Sequence, residues 1–216
     1  MKILITGDSW GCGEWDGLNV DYRVTHSGIE QYLRDDGYTV ENVSRGGYNN
    51  LESLEAINGR VFDHLIFFFT DPLRQATFDE FSTLSPKTIA SQHTKYVLCQ
   101  LEQYPLVTLI GGCSRVEAPN LRYVIPSFSE LVVPRFNDTP YMTSNEWESH
   151  WMNIKNPSNQ FKKEILEIVD SASRKYQLWK YNPDLFWPDG LHGNRKAIRL
   201  VYDQMLLLWS KFGKNI

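Results

Sequence analysis

Short apolar runs alternate along this chain with longer stretches in which apolar residues recur every three or four positions. Five runs predict β-strands, at residues 2–6, 39–43, 64–69, 106–110 and 121–125. Most of them are apolar on both faces, which is typical of central strands in a parallel sheet. The helical spacing predicts helices over residues 25–36, 50–58, 86–103, 158–178 and 194–212. This alternation predicts an α/β fold of three layers, with helices on both faces of a parallel sheet of about five strands.

One segment departs from this pattern. Residues 127–156 contain two prolines, the aromatic residues Trp147 and Trp151, and no clear period. Long irregular segments in compact domains tend to be lids or binding loops, and this one would leave the carboxyl edge of the sheet, where open α/β sheets bind ligands. A packed surface excursion or an oligomer contact is an equally open interpretation. The 216 residues otherwise suit a single domain over residues 1–216, without internal repeats.

Composition and charge exclude several classes of partner. A net charge of −4 provides none of the basic surface that nucleic-acid binding requires. The longest apolar run, residues 65–69, is too short to cross a membrane, and the apolar start at residues 1–5 is interrupted too early for a signal peptide. The five histidines form no metal-spaced cluster. Three scattered cysteines favour reduced thiols over a disulfide framework: Cys12, Cys99 and Cys113. We therefore expect a cytoplasmic protein, of cellular or viral origin, without nucleic-acid, membrane or metal partners.

Two short motifs at opposite ends of the chain carry candidate chemistry. Gly-Asp-Ser-Trp at positions 7–10 places Ser9 just after the first predicted strand, and Asp-Gly-Leu-His at positions 189–192 places Asp189 ahead of His192 before the last predicted helix. These are the three side chains of a hydrolase that attacks through a hydroxyl: a nucleophile, a base and an acid that orients the base. Taken singly, the serine also suits a turn or a helix N-cap, and the histidine a solvent-facing loop. Taken together, the motifs favour a catalytic triad.

This pair of motifs resembles the SGNH (GDSL) hydrolase family. The first sequence block of that family holds the nucleophile in a Gly-Asp-Ser turn, and the last holds Asp-x-x-His, often followed shortly by asparagine. The resemblance implies that Ser9 is the nucleophile, His192 the base and Asp189 the orienting acid, and Asn194 matches the trailing asparagine. It also implies a flavodoxin-like strand order, an esterase reaction through an acyl-enzyme, and no cofactor.

The second and third blocks of that family supply hydrogen-bond donors to the oxyanion. Gly47 falls at the place of the second-block glycine, and the N–H of Ser9 is a further donor. The third block usually reads Gly-x-Asn-Asp, but here Thr70 stands where that asparagine is expected. Losing one oxyanion donor can cost about 2.7–4 kcal/mol of transition-state stabilisation. Either another donor substitutes, or the enzyme is slow, or catalysis is lost. The candidate substitutes are Asn49, Asn50 and Arg74.

The substrate class follows from the resemblance. The family acts on acyl esters of lipids, sugars, polysaccharides and small molecules, so we expect a small-molecule or glycan ester as the partner. Since no long apolar groove is legible in the sequence, we predict a short acyl group such as acetyl on a carbohydrate. The weaker candidates for substrate binding are Asp8, Trp10, Arg74, Trp147 and Trp151.

A dinucleotide-binding interpretation stays open beside this one. The glycines at positions 7, 11 and 13 also have the spacing of an NADP-dependent short-chain dehydrogenase, and Tyr176 and Lys180 have its catalytic spacing. That interpretation leaves Asp189 and His192 without a role.

A third interpretation keeps the hydrolase fold with weak or absent catalysis, as a carbohydrate-binding or structural protein. The altered third block favours it. The retained serine, histidine and aspartate argue against it.

Overall fold

A computed structural model of the chain describes residues 1–16, 23–74, 85–112, 115–133, 182–187 and 192–212. The described residues form seven strands, which in chain order are β1 (Lys2–Thr6), β2 (Glu14–Trp15), β3 (Val24–His26), β4 (Thr39–Asn42), β5 (His64–Phe69), β6 (Val107–Gly111) and β7 (Tyr123–Ile125). Five of them form one sheet in the order β4-β1-β5-β6-β7, with every neighbouring pair parallel. Strands β2 and β3 form a separate antiparallel hairpin.

The strand order distinguishes two of the predicted architectures. The third strand of the sheet, β5, pairs with β1 on the side opposite β4. This is the flavodoxin-like order 2-1-3-4-5, whereas the dinucleotide-binding order 3-2-1-4-5-6 places the third strand beside the second. The predicted α/β class with a five-stranded parallel sheet is therefore confirmed, and the strand order does not favour the dehydrogenase interpretation.

Helices cover both faces of this sheet. They are α1 (Ser9–Cys12), α2 (Ile29–Asp35), α3 (Asn50–Glu55), α4 (Pro86–Leu101), α5 (Phe128–Val132) and α6 (Arg195–Lys211). Because successive side chains of a strand point to opposite faces, each buried strand contributes to two cores. Ile3, Ile5 and Ile66 pack with residues of α2, α5 and α6, while Leu4, Leu65 and Phe67 pack with residues of α4. The result is a three-layer arrangement.

Two segments differ from the sequence predictions. The helix predicted over residues 25–36 is wrong at its start, because β3 (Val24–His26) precedes the helix Ile29–Asp35. Within the segment predicted to be irregular, Phe128–Val132 form a helix, α5, whose N-cap is Ser127. The helix predicted over residues 158–178 and the rest of the predicted lid lie outside the described residues. Within the described ranges, no helix is long and apolar enough to span a bilayer.

Candidate active site

Ser9 lies at the carboxyl edge of the sheet, where β1 passes through Gly7 into α1. Asp8 is the N-cap of this short helix, and its Oδ1 accepts the backbone N–H of Trp10 at 3.0 Å. The cap therefore engages the N–H of Trp10 and not that of Ser9, the first helical residue. Ser9 is buried, with 7% of its surface exposed. The turn thus places a serine at the edge where open α/β sheets bind ligands.

Cys12 is a second potential nucleophile one helical turn after Ser9. Its Sγ donates to the carbonyl of Asp8 at 3.6 Å. Burial, reinforced by the nearby Asp8 carboxylate, raises the pKa of the Cys12 thiol to about 12. A thiol reacts through its thiolate, so Cys12 stays protonated and inert near neutral pH.

Arg74 joins the turn of Ser9 to the end of β5. Its Nη1 donates to Asp8 Oδ2 at 2.6 Å and to Thr70 Oγ1 at 3.2 Å. Asp8 is 4% exposed, so this charge-assisted contact compensates a buried carboxylate. Since the guanidinium has no acceptor, Thr70 Oγ1 must be the acceptor in its contact with Arg74, and the hydroxyl proton remains for another partner.

Asn50 fixes the backbone at Thr70. Its Oδ1 accepts the N–H of Thr70 at 2.8 Å, and its Nδ2 donates to the carbonyl of Thr70 at 3.0 Å. The same Nδ2 lies 3.3 Å from Nε2 of His93 on α4. The fully buried Asn50 amide is therefore engaged in holding the third block.

Asn49 serves as the N-cap of α3. Its Oδ1 accepts the N–H groups of Leu51 and Glu52, both at 2.9 Å. Its own N–H donates to Oε2 of Glu52 at 2.8 Å, which completes a capping box. The candidate substitutes for the missing asparagine therefore differ in what they bind. The Arg74 side chain contacts the Thr70 hydroxyl, whereas the Asn50 side chain binds the Thr70 backbone.

The glycine loop after β4 continues alongside the turn of Ser9. The N–H of Val43 donates to the carbonyl of Ile5 at 2.8 Å, and the N–H of Arg45 donates to that of Gly7 at 3.1 Å. Gly47 follows with a φ of +90°, a conformation that side chains disfavour. The predicted first and second blocks are therefore adjacent.

His192 lies in a loop immediately before α6 and is 6% exposed. Its carbonyl accepts the N–H of Trp187 at 2.9 Å, next to an antiparallel bridge between Phe186 and Gly193. Asn194, the predicted trailing asparagine, is the N-cap of α6, and its Nδ2 donates to the carbonyl of Asp184 at 2.8 Å. The loop that carries the histidine is thus fixed on both sides.

Trp15 is the site residue that the sequence patterns did not reveal. Its indole Nε1 donates to the carbonyl of Ser9 at 2.7 Å. Its rings lie 5.5 Å from the His192 imidazole between centroids, at an interplanar angle of 33°. A Cβ placed on Gly46 would lie 3.2 Å from the Trp15 ring. One side chain therefore binds the backbone of the predicted nucleophile, lies beside the glycine loop and packs against the ring of the predicted base.

Glu14 adds a second link between the two ends of the chain. Its carboxylate is buried and accepts both the backbone N–H of Arg195 at 2.9 Å and its Nε at 3.0 Å. Arg195 is the first residue of α6, where a carboxylate is also favoured by the helix dipole. This pair fixes the hairpin beside the His192 loop.

Among the remaining predicted site residues, Trp10 packs edge-to-face against Phe128 of α5, with ring centroids 4.4 Å apart. Its ring is therefore engaged with the core. Asp189, Trp147 and Trp151 lie outside the described residues. In the part of the chain that is described, no group of three His, Cys, Asp or Glu residues is placed to hold a metal ion.

Comparisons with known proteins find similarity in structure alone. No family model matches the sequence, and no curated protein matches it. A lipase/acylhydrolase from Enterococcus faecalis is 16% identical, and the alignment covers 100% of this chain and 98% of that chain with a TM-score of 0.47. The esterase EstA from Pseudoalteromonas sp. is 16% identical over 98% and 97% of the two chains, with a TM-score of 0.49. An acetyl xylan esterase from Geobacillus stearothermophilus is 15% identical over 96% and 93%, with a TM-score of 0.44. The fold class rests on the order and direction of this chain's own strands.

Proposed function

We propose that this chain is a serine ester hydrolase of the SGNH type, with a catalytic triad of Ser9, His192 and Asp189. The observation that carries the proposal is the convergence of Ser9 and His192 on Trp15. Both residues are buried, they come from opposite ends of the chain, and they contact the same indole. Their neighbourhood is the carboxyl edge of a parallel sheet, the usual ligand-binding edge of this architecture.

The proposed reaction has two halves. Ser9 Oγ forms a bond to the ester carbonyl carbon while His192 takes the hydroxyl proton, and Asp189 orients the imidazole. His192 then gives this proton to the departing alkoxide as its carbon–oxygen bond breaks, which leaves an acyl group on Ser9. A water molecule attacks that acyl group, His192 takes its proton, and Ser9 leaves as the restored hydroxyl after receiving the proton. The products are a carboxylic acid and an alcohol.

The proposed oxyanion donors are the N–H groups of Ser9 and Gly47 and the hydroxyl of Thr70. The contact in which Arg74 donates to Thr70 Oγ1 supports the last assignment, because it leaves the hydroxyl proton available and polarises it. Asn49, whose Oδ1 caps α3, is a weaker candidate than the sequence implied. The proposed substrate remains an ester of a short acyl group, such as acetyl on a carbohydrate.

The first test is labelling with a fluorophosphonate, followed by intact mass measurement. We expect one adduct on the wild-type protein and none on Ser9→Ala, with nearly unchanged stability of the variant. Hydrolysis of p-nitrophenyl acetate should fall at least about 10³-fold in Ser9→Ala and in His192→Gln, since both remove a member of a unit that acts together. The matched control is Ser210→Ala, which removes an exposed hydroxyl on α6 and should retain full labelling.

A comparison of p-nitrophenyl esters with two, four and eight acyl carbons tests the short acyl preference. The proposal predicts the highest kcat/KM for the acetate. A folded wild-type protein that takes no label and hydrolyses none of these esters would contradict the proposed activity. Binding to a glycan array by such a protein would then support the non-catalytic carbohydrate-binding interpretation, which Thr70 in the third block favours.

A further inference from the structure

We propose that Trp15 is a positioning residue for this reaction, acting on Ser9 through its N–H and on His192 through its ring. The inference rests on the proposed function, because it assigns Trp15 a part in the same chemistry. It concerns a residue that lies outside both sequence motifs, on the two-residue strand β2.

The first contact fixes the nucleophile. Helix α1 has only four residues, so its carbonyl groups lack most of the intrahelical donors that a longer helix supplies. The indole Nε1 of Trp15 donates to the carbonyl of Ser9 at 2.7 Å, a short and well-placed hydrogen bond. With Asp8 capping the other side of Ser9, the backbone of the nucleophile is held from both directions.

The second contact places an aromatic ring beside the base. The Trp15 and His192 rings lie 5.5 Å apart at 33°, so the indole face lies against the imidazole. An indole face attracts a cation through its electron density. In the proposed reaction the imidazole of His192 gains a positive charge as it takes the serine proton, so this attraction strengthens in the transition state. An interaction with that property accelerates the chemical step.

Trp15 is itself anchored on both sides of the site. Gly46 leaves room for the edge of its ring, since a Cβ there would lie 3.2 Å from it. The preceding residue, Glu14, is bound twice by Arg195 directly after the His192 loop. The backbone next to Trp15 is therefore fixed beside the His192 loop, and a movement of the ring away from His192 would break its hydrogen bond to the Ser9 carbonyl.

The test compares Trp15→Phe and Trp15→Leu with wild type by single-turnover labelling and steady-state hydrolysis. Phenylalanine keeps a ring against His192 and loses the N–H, so we expect a fall of kcat of a few fold. Leucine loses both contacts, and we expect a fall of about 10- to 100-fold in kcat with KM within about twofold, as for an interaction made in the transition state. Each rate is expressed per fluorophosphonate-reactive serine, so that loss of folded protein does not count as loss of catalysis.

The matched control is Trp209→Phe, which also removes a buried indole hydrogen bond, here to Oγ1 of Thr108 at 2.8 Å. This change should lower stability and leave kcat per reactive serine unchanged. An unchanged kcat per reactive serine in Trp15→Leu would overturn the inference while the proposed function stands. Absence of label on the folded wild type would instead overturn the proposed function.

Discussion

Thr70 is the residue that most distinguishes the proposed oxyanion site from the expected one. It occupies the position of the expected asparagine, and its side chain accepts from Arg74 while its backbone is held by Asn50. Thr70→Val keeps the shape and removes the hydroxyl. If the hydroxyl serves the oxyanion, kcat should fall about 10²-fold, in the range seen when one such donor is lost.

The control for this change is Thr70→Ser, which retains the hydroxyl and should keep most of the activity. Both variants are assayed for kcat and KM with p-nitrophenyl acetate. Equal kcat in the valine variant and the wild type would remove Thr70 from the oxyanion site and leave Arg74 as the alternative donor.

At the scale of the elements, the sequence predicts long apolar strands well and short polar ones poorly. Strand β5 (His64–Phe69) is buried throughout, and its apolar run marks it without ambiguity. Strands β2 and β3 have only two and three residues, too few to show an alternating pattern. The helix predicted over residues 25–36 therefore included residues of β3. The residues of the candidate site show the same contrast between clear and weak sequence signals. Ser9 and His192 stand in recognisable motifs, whereas the role of Trp15 depends on contacts with residues distant in sequence.

Substitution of Gly13 tests how closely the hairpin of β2 and β3 must pack against the end of α1. Its φ is +116°, and an added Cβ would lie 2.3 Å from the carbonyl oxygen of His26. Gly13→Ala should therefore lower the free energy of unfolding by more than about 1 kcal/mol and reduce hydrolysis, because β3 must shift. The control is Gly37→Ala, where φ is +88° and no atom lies within 4 Å, so only backbone strain is added. Urea unfolding measures both variants; equal losses of stability would show that the close contact with His26 has no effect.

The molecule as a whole contains a pH-sensitive group at the edge of the sheet opposite the site. His64, the first residue of β5, is fully buried between the rings of Tyr123 and Trp209, with Nε2 2.8 Å from Oγ1 of Thr108. Its Nδ1 has no hydrogen-bond partner among the described residues. Burial lowers the pKa of His64 from 6.5 to about 4.

The lowered pKa of His64 predicts how the free energy of unfolding changes with pH. Between about pH 6.5 and 4 the unfolded chain binds a proton at this residue that the folded chain does not. The contribution of neutral His64 to the free energy of unfolding is therefore complete above pH 6.5 and is lost as the pH falls towards 4. Linkage puts the loss at about 3 kcal/mol at most. Urea unfolding of wild type and His64→Gln at several pH values measures it. The variant should lose less stability than wild type over this interval, and parallel curves would refute the assignment.

The ion pair between Glu14 and Arg195 also bears on the order in which parts of the fold come together. It joins residues 181 positions apart, and closing so long a loop is slow because the chain must first lose much conformational freedom. The ribosome makes the serine turn before the histidine loop, which follows only after all five strands of the parallel sheet. During synthesis the proposed nucleophile, Ser9, is therefore made before its proposed base, His192, and we expect a partly made chain to carry a serine that is not yet activated.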